Sequence, residues 1–592
     1  MNDRRGLLPA MLFALALQLP AAAKAGCGIE VLELPVKMVG ARAIATVGIN
    51  GTPVPLLVDS GAFFSFLTEA VTAQLKLPLH ELPFGMRVQG LTGSVDARAT
   101  TVDHLQLLKG DLPEIEFVVG GNEAGAGAMG LLGRNILSFT DTEYDLAHGV
   151  IRFVTPNDEC EKSNMAYWAG SGPVSVLELN HEFRERLPGI RAVVALNGHR
   201  TRALFDTGAT STVSLSAAHA AGVKDSDMKL LGQMYGAGQG KTTAWVAPFD
   251  RVEIGGEAVS NNKLEVADFD LKEADMLIGI DFFLSHRIYV SKKRSLMFFT
   301  YNGGPVFALN ASAPAESAAA SDTVEGLSAD ALARRGAASL ARGDLAAALA
   351  DLDRACTMEP GNAGFFATRA SVHAARKDPV LTLADLDTAL RLDPGLADAR
   401  IRRAWLQLSR HEQTQTLADL DVLDKTLPPQ SNLRGEMARL FGTLDMPSQA
   451  LAQWDDWIDA HPHDIGLERA YNGRCWTRAE LGIDLDKALD DCDEAVDADA
   501  KNAKYLDSRG WVYLRQGKLR KALADFDRGL AIRPAGAWSL YGRGLVHLGL
   551  GETAAGEADL AAARAADRRI DAEIGRSGLP RAPQAAASSP TT

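Results

Sequence analysis

The chain changes its hydrophobic rhythm once. From residue 29 to about 302, apolar residues come in short, partly β-branched runs bounded by Gly or Asn, which predicts strands. Ala43-Ile44-Ala45-Thr46-Val47 and Ala192-Val193-Val194-Ala195-Leu196 are two such runs. Each leads into an Asn-Gly pair, Asn50-Gly51 or Asn197-Gly198, whose tolerance of positive φ predicts a tight hairpin turn. From 327 to 570 the pattern is helical. Pro360, Pro394, Pro428 and Pro462 recur every 34 residues, and Pro534 follows after 72, two repeats plus a four-residue insertion. Residues 303–326 between these regions, and the tail after about Arg576, are rich in Ala, Ser, Pro and Gly with no period, and read as flexible.

The β-rich half repeats itself. Val31-Leu32-Glu33-Leu34 recurs as Val176-Leu177-Glu178-Leu179, and Leu131-Leu132-Gly133-Arg134-Asn135 as Leu277-Ile278-Gly279-Ile280-Asp281, at offsets of 145 and 146. Val58-Asp59-Ser60-Gly61-Ala62 recurs as Phe205-Asp206-Thr207-Gly208-Ala209, with the two aspartates 147 positions apart. Offsets this constant indicate duplicated domains. Each copy ends an apolar run by carrying one carboxylate into a Gly-containing turn.

In the helical half, Gly510, Tyr513, Gly517, Ala522, Phe526, Gly529 and Pro534 fall on tetratricopeptide positions. The match recurs at Gly336, Gly343, Ala348, Leu352, Ala355 and Pro360. Seven repeats resembling this family imply an all-α solenoid whose concave face takes a protein partner. The prolines end second helices, since Pro lacks an amide donor.

At 592 residues several domains are required. The net charge of −14 argues against nucleic acid, whose affinity comes mainly from cations on phosphate. Arg4 and Arg5, the apolar stretch Leu7 to Leu19, and Ala23-Lys24-Ala25 read as a cleavable secretory signal, 1–25, of bacterial type. The mature chain is therefore expected in the periplasm or outside the cell. A lipid anchor on Cys27 is the less favoured alternative, because Lys24 stands where an apolar residue is wanted. Cys27 and Cys160 flank the first lobe, and Cys475 and Cys492 fall on facing helices of the fifth repeat, so both pairs are expected to be bridged in an oxidising compartment. Cys356 is left as a buried apolar residue. No cysteine or histidine spacing suits zinc, so no metal and no cofactor are expected.

The paired Asp-Ser/Thr-Gly-Ala turns, each followed some 73 residues later by Leu-Leu-Gly or Leu-Ile-Gly, resemble the retropepsin-like aspartic proteases over about 270 residues. The resemblance implies a multidomain chain. An all-β bilobal acid-protease fold (lobes 26–160 and 161–302) is followed by the linker 303–326, the repeats 327–570 and a capping segment with tail, 571–592. It implies a catalytic dyad, Asp59 and Asp206, paired within one monomeric chain and hydrolysing peptide bonds of a peptide or protein substrate. Two such carboxylates about 3 Å apart cannot both ionise. Ser60 and Thr207 are expected to brace the turns across the lobes. Gly61 and Gly208 would admit close backbone approach, and Ala62 and Ala209 keep the turn floor small.

A flap is expected about 30 residues after each Asp, at Gly90, Leu91 and Gly93 and at Tyr235, Gly236 and Gly238. Phe63 and Phe64 are bulkier than the family pattern. Gly125 to Gly130 fits a dinucleotide pattern but precedes a strand, so it is set aside. Two alternatives stand beside the endopeptidase: a non-catalytic peptide-binding adaptor whose repeats carry the function, and lobes that pair between chains.

Overall fold

The computed structural model describes residues 27–82, 88–95, 97–120, 125–180, 189–236, 240–271, 274–307, 326–462, 464 and 467–582. Residues 1–25, expected to be a leader, most of the expected linker, the end of the tail and Gly238 lie outside them.

The first lobe contains β1 (Ile29–Pro35), β2 (Lys37–Val39), β3 (Arg42–Ile49), β4 (Thr52–Val58), β5 (Phe66–Leu67), β6 (Val88–Gly90), β7 (Gly93–Val95), β8 (Ala97–Leu107), β9 (Gly110–Gly120), β10 (Gly130–Leu132), β11 (Asp141–Asp145) and β12 (Val150–Pro156). The second contains β13 (Ser175–Glu178), β14 (Arg191–Leu196), β15 (His199–Phe205), β16 (Thr212–Ser214), β17 (Lys229–Tyr235), β18 (Lys241–Ile254), β19 (Glu257–Ala267), β20 (Met276–Ile278), β21 (His286–Ser291) and β22 (Leu296–Tyr301). Short helices α1 (Glu69–Gln74), α2 (Arg134–Leu137), α3 (Leu215–Ala220) and α4 (Ile280–Ser285) punctuate them.

Each lobe is a closed barrel, and the two share one topology. The order β3-β4-β10-β5-β9-β8, closed by β3–β8, is repeated as β14-β15-β20-β16-β19-β18, closed by β14–β18. Closure leaves no edge free within the barrel. A third sheet, β1-β12-β11-β21-β22-β13, draws three strands from each lobe and joins them at its centre, where Glu143 faces Tyr289. One apolar core runs through both barrels, including Val58, Phe117, Phe205, Ile278 and Phe282. The hairpin turns keep their predicted chemistry: Asn50 and Gly51 have φ of 48° and 83°, Asn197 and Gly198 of 49° and 82°.

The C-terminal half is seven antiparallel helix pairs: α5 (Ala329–Ala341)/α6 (Leu345–Met358), α7 (Ala363–Ala375)/α8 (Pro379–Leu392), α9 (Ala397–Ser409)/α10 (Gln413–Thr426), α11 (Leu433–Thr443)/α12 (Pro447–Ala460), α13 (Leu467–Leu481)/α14 (Leu485–Ala498), α15 (Ala503–Arg515)/α16 (Leu519–Ile532) and α17 (Ala537–Gly549)/α18 (Thr553–Ala566), capped by α19 (Ile570–Arg576). Small residues set the spacing: a Cβ on Gly510 would stand 2.7 Å from Phe526, and one on Gly336 2.9 Å from Leu352. An ionic ladder joins the pairs. Arg369, Arg403, Arg509 and Arg543 each fork onto the Asp 16 residues later, and each also reaches the Asp 16 residues earlier on the preceding repeat. Bidentate Arg–carboxylate geometry fixes orientation as well as distance.

Cys27 is bridged to Cys160 and Cys475 to Cys492, while Cys356 is a buried free thiol. Among the described residues, no helix is long and apolar enough to cross a membrane.

Candidate active site

The strands β4 and β15 end at the junction of the lobes, and each delivers its Asp into the turn that follows. Asp59 N–H donates to Leu132 O (3.0 Å) and Asp206 N–H to Ile278 O (2.8 Å), so the turns are pinned to the neighbouring strands β10 and β20. Gly133 and Gly279 permit this packing. A Cβ on Gly133 would lie 2.4 Å from Phe64 O, and one on Gly279 2.4 Å from Ala209 O.

Across the lobes the turns grip each other reciprocally. Ser60 N–H donates to Thr207 Oγ1 and Thr207 N–H to Ser60 Oγ, both at 3.0 Å. Ser60 Oγ donates to Phe205 O (2.9 Å), and Thr207 Oγ1 donates to Val58 O (2.7 Å). Both hydroxyl residues have no solvent exposure.

This grip brings the two carboxylates together. A Cβ on Gly61 would fall 2.4 Å from Asp206 Cγ, and a Cβ on Gly208 would fall 2.6 Å from Asp59 Cγ. Each glycine therefore makes room for the opposite lobe's carboxylate, a more specific demand than backbone approach to its own. The two carboxyls lie close enough to shift each other's titration. Asp59 Oδ1 accepts the amides of Gly61 (2.9 Å) and Ala62 (2.7 Å), and Asp206 Oδ1 accepts Gly208 N–H (2.8 Å).

The two acids titrate differently. Burial pushes both carboxyls above the ordinary aspartate range. Asp206 goes well above it, because the charge of Asp59 adds to burial; backbone amides temper the rise at both, Ala62 and Gly61 at Asp59, Gly208 and Gly61 at Asp206. Two carboxyls this close titrate as a pair, and neither titration belongs to one residue alone. Asp59 and Asp206 are each half-buried by exposed area.

Of the residues expected in the flaps, Gly90, Leu91, Gly93, Tyr235 and Gly236 lie on two hairpins, β6–β7 and β17–β18. They meet: Thr92 Oγ1 donates to Gly236 O (3.1 Å) and Gly240 N–H donates to Thr92 O (2.8 Å). Leu91 crosses to the second lobe and packs with Leu204, Ala209, Leu271, Ala274 and Leu277. Tyr235 pairs with Lys241 in the second hairpin. Phe63, the bulky departure in the first turn, lies under the Arg191 guanidinium of the second lobe, 5.5 Å from ring centre.

A further support was visible in the sequence but not recognised as chemistry. Ser65 Oγ and N–H donate to Asn135 Oδ1, and Gly133 N–H donates to Ser65 Oγ. The second lobe repeats the lock with Ser211, Asp281 and Gly279. Its one substitution is an acid for an amide, and burial raises the Asp281 carboxyl above its ordinary value. The recurrence of Ser65 as Ser211 and of Asn135 as Asp281, both at offset 146, was the signal. Among the described residues, no group of three or more His, Cys, Asp and Glu side chains is arranged to hold a metal ion.

The aspartyl protease family model matches twice, over residues 45–136 and 192–282, one match on each barrel. Both lobes are aspartyl protease family domains. The two matches contain the two Asp turns, their β10 and β20 supports and both the β6–β7 and β17–β18 hairpins.

The helical half is similar to solved repeat structures. A tetratricopeptide repeat protein from Parabacteroides merdae is 18% identical with a TM-score of 0.33, over 42% of this chain and 98% of its own. YrrB, described as a TPR protein with an unusual peptide-binding site, is 19% identical with a TM-score of 0.28, over 32% and 95%. PilF of Pseudomonas aeruginosa is 16% identical with a TM-score of 0.31, over 36% and 94%. No curated protein matches the chain.

Proposed function

We propose that this chain is an exported aspartic endopeptidase in which Asp59 and Asp206 work as one catalytic unit. The observation that carries the reading is the contact between the two acids, with each motif glycine facing the opposite carboxylate. Asp59, stabilised as the anion by two amides, takes a proton from a water held between the pair. The water oxygen attacks the peptide carbonyl carbon while Asp206 donates its proton to the carbonyl oxygen. Collapse of the tetrahedral diol returns a proton to Asp206. The departing amine takes one from Asp59 as the C–N bond breaks. The pair ends as it began, sharing one proton.

Leu91, in the first flap turn, packs against the apolar cluster of Leu204, Ala274 and Leu277 that Ala209 also borders, and that surface suits an apolar substrate side chain. Two disulfides favour an oxidising compartment, which supports export. The repeat array supplies a surface for a protein substrate or partner.

The test is to incubate the purified mature chain with a peptide library, with and without a statine-type inhibitor. Inhibitor-sensitive cleavage is expected. Absence of any cleavage over pH 3 to 8, or cleavage indifferent to the inhibitor, would contradict the proposal.

A further inference from the structure

The repeat array does not run clear of the protease lobes. Its first helix, α5, sits where they meet. Ala337 and Ala338 enter the common apolar core, Arg334 lies against Gly149 of the first lobe, and Arg342 Nη1 donates to Leu284 O of the second (3.2 Å). Two repeats on, Arg402 and Asp398 of α9 lie within electrostatic range of Lys37 on β2. Further along, the turn between α14 and α15 reaches the second flap hairpin. Lys241 Nζ donates to Ala498 O (3.1 Å) and pairs with Asp499 Oδ1 (3.4 Å).

Lys241 is strategically placed. It follows Gly240, whose amide is bonded to Thr92 O of the first flap, and a Cβ on Gly240 would stand 2.3 Å from that oxygen. One residue before Thr92, Leu91 reaches the apolar surface beside Ala209. A continuous chain of contacts therefore runs from the array, through the second flap, to the first flap and the apolar cluster beside Ala209. α14 exposes Asp486, Asp490, Glu494 and Asp497, and the hairpin strands carry exposed Lys229 and Lys241.

We propose that the α14–α15 turn is an intramolecular docking surface for the Lys241 strand of the second flap, and that this docking holds the two flaps together over the cleft. Access to the active site is then linked to the state of the array: whatever engages the acidic α14 of the fifth repeat also loosens the flaps. The link to catalysis rests on the protease reading, whereas the docking itself does not.

The test uses the full mature chain and follows deuterium exchange at the Gly240 amide and the β17–β18 strands. A partly exposed ion pair supplies a factor of about two to five, so Lys241→Ala should raise exchange there by about that factor. Raising salt to about 0.5 M should move the wild type toward the variant and leave the variant nearly unchanged. Cleavage of a quenched peptide should rise in kcat/KM by a similar factor in Lys241→Ala. Unchanged exchange in the variant, or an equal salt response in both proteins, would overturn the docking. Faster exchange in a chain that cleaves no peptide would uphold the docking and overturn the protease reading.

Discussion

Thr207→Val removes one oxygen from the grip between the lobes while keeping the side chain's shape. The site is fully buried, and that oxygen serves two backbone groups: it donates to Val58 O at 2.7 Å and accepts Ser60 N–H at 3.0 Å. Neither group has water to turn to. Leaving a buried backbone donor or acceptor unpaired costs about 1–3 kcal/mol, so the two together cost about 2–6 kcal/mol. Thr207→Ser keeps both bonds and loses one methyl, about 1 kcal/mol. Activity should fall further than stability alone implies. The grip sets the distance between the acids, and a displacement of about 1 Å at a reacting centre costs on the order of 100-fold. The assay is chemical unfolding of the three proteins at one pH, with kcat/KM on a quenched peptide measured where each is folded. The reasoning is refuted if Thr207→Val unfolds within about 0.5 kcal/mol of wild type, a change too small for two orphaned groups, or if it keeps half the activity.

Gly61→Ala should reduce kcat/KM by about 100-fold or more, because its methyl would have to occupy space held by the Asp206 carboxyl; a near-normal rate would show that the acids are not in contact. Asp206→Asn should raise thermal stability at pH 7 and make little difference at pH 3. A carboxyl whose folded pKa is raised binds more protons folded than unfolded, so its contribution to stability is lost as pH rises from the ordinary aspartate value through the folded one. Calorimetry at the two pH values reads this, and a destabilised Asn variant at pH 7 would contradict it. Cys475→Ser should destabilise the repeat array by about 3 kcal/mol, the entropy of closing a loop of this size, measured by unfolding under non-reducing conditions; no change would mean that helix packing alone fixes α13 on α14.

Much of the architecture was legible because duplication amplified it. A single Asp-Thr-Gly is common, but two copies with matching Asn-Gly turns before and matching apolar-Gly strands after specify a barrel and its partner. The 34-residue proline spacing did the same for the helices. What escaped was contact between elements remote in sequence. Asp206 facing Gly61, Thr92 bonded to Gly236 and Gly240, and Lys241 against Asp499 depend on how the lobes and the array close on each other, and a periodic pattern carries no record of that. The Arg–Asp ladder of the repeats was written in the sequence at constant spacing. Charged positions on an amphipathic helix read first as a solvated face, so its partners emerged only with the packing.

The central claim is that the two aspartates form one unit, and a double-mutant comparison tests it most directly: kcat/KM for wild type, Asp59→Asn, Asp206→Asn and the double variant on one peptide. If the acids share a proton and act together, each single substitution loses as much activity as the double. If the losses simply add, or if either single variant retains full activity, the shared dyad is wrong.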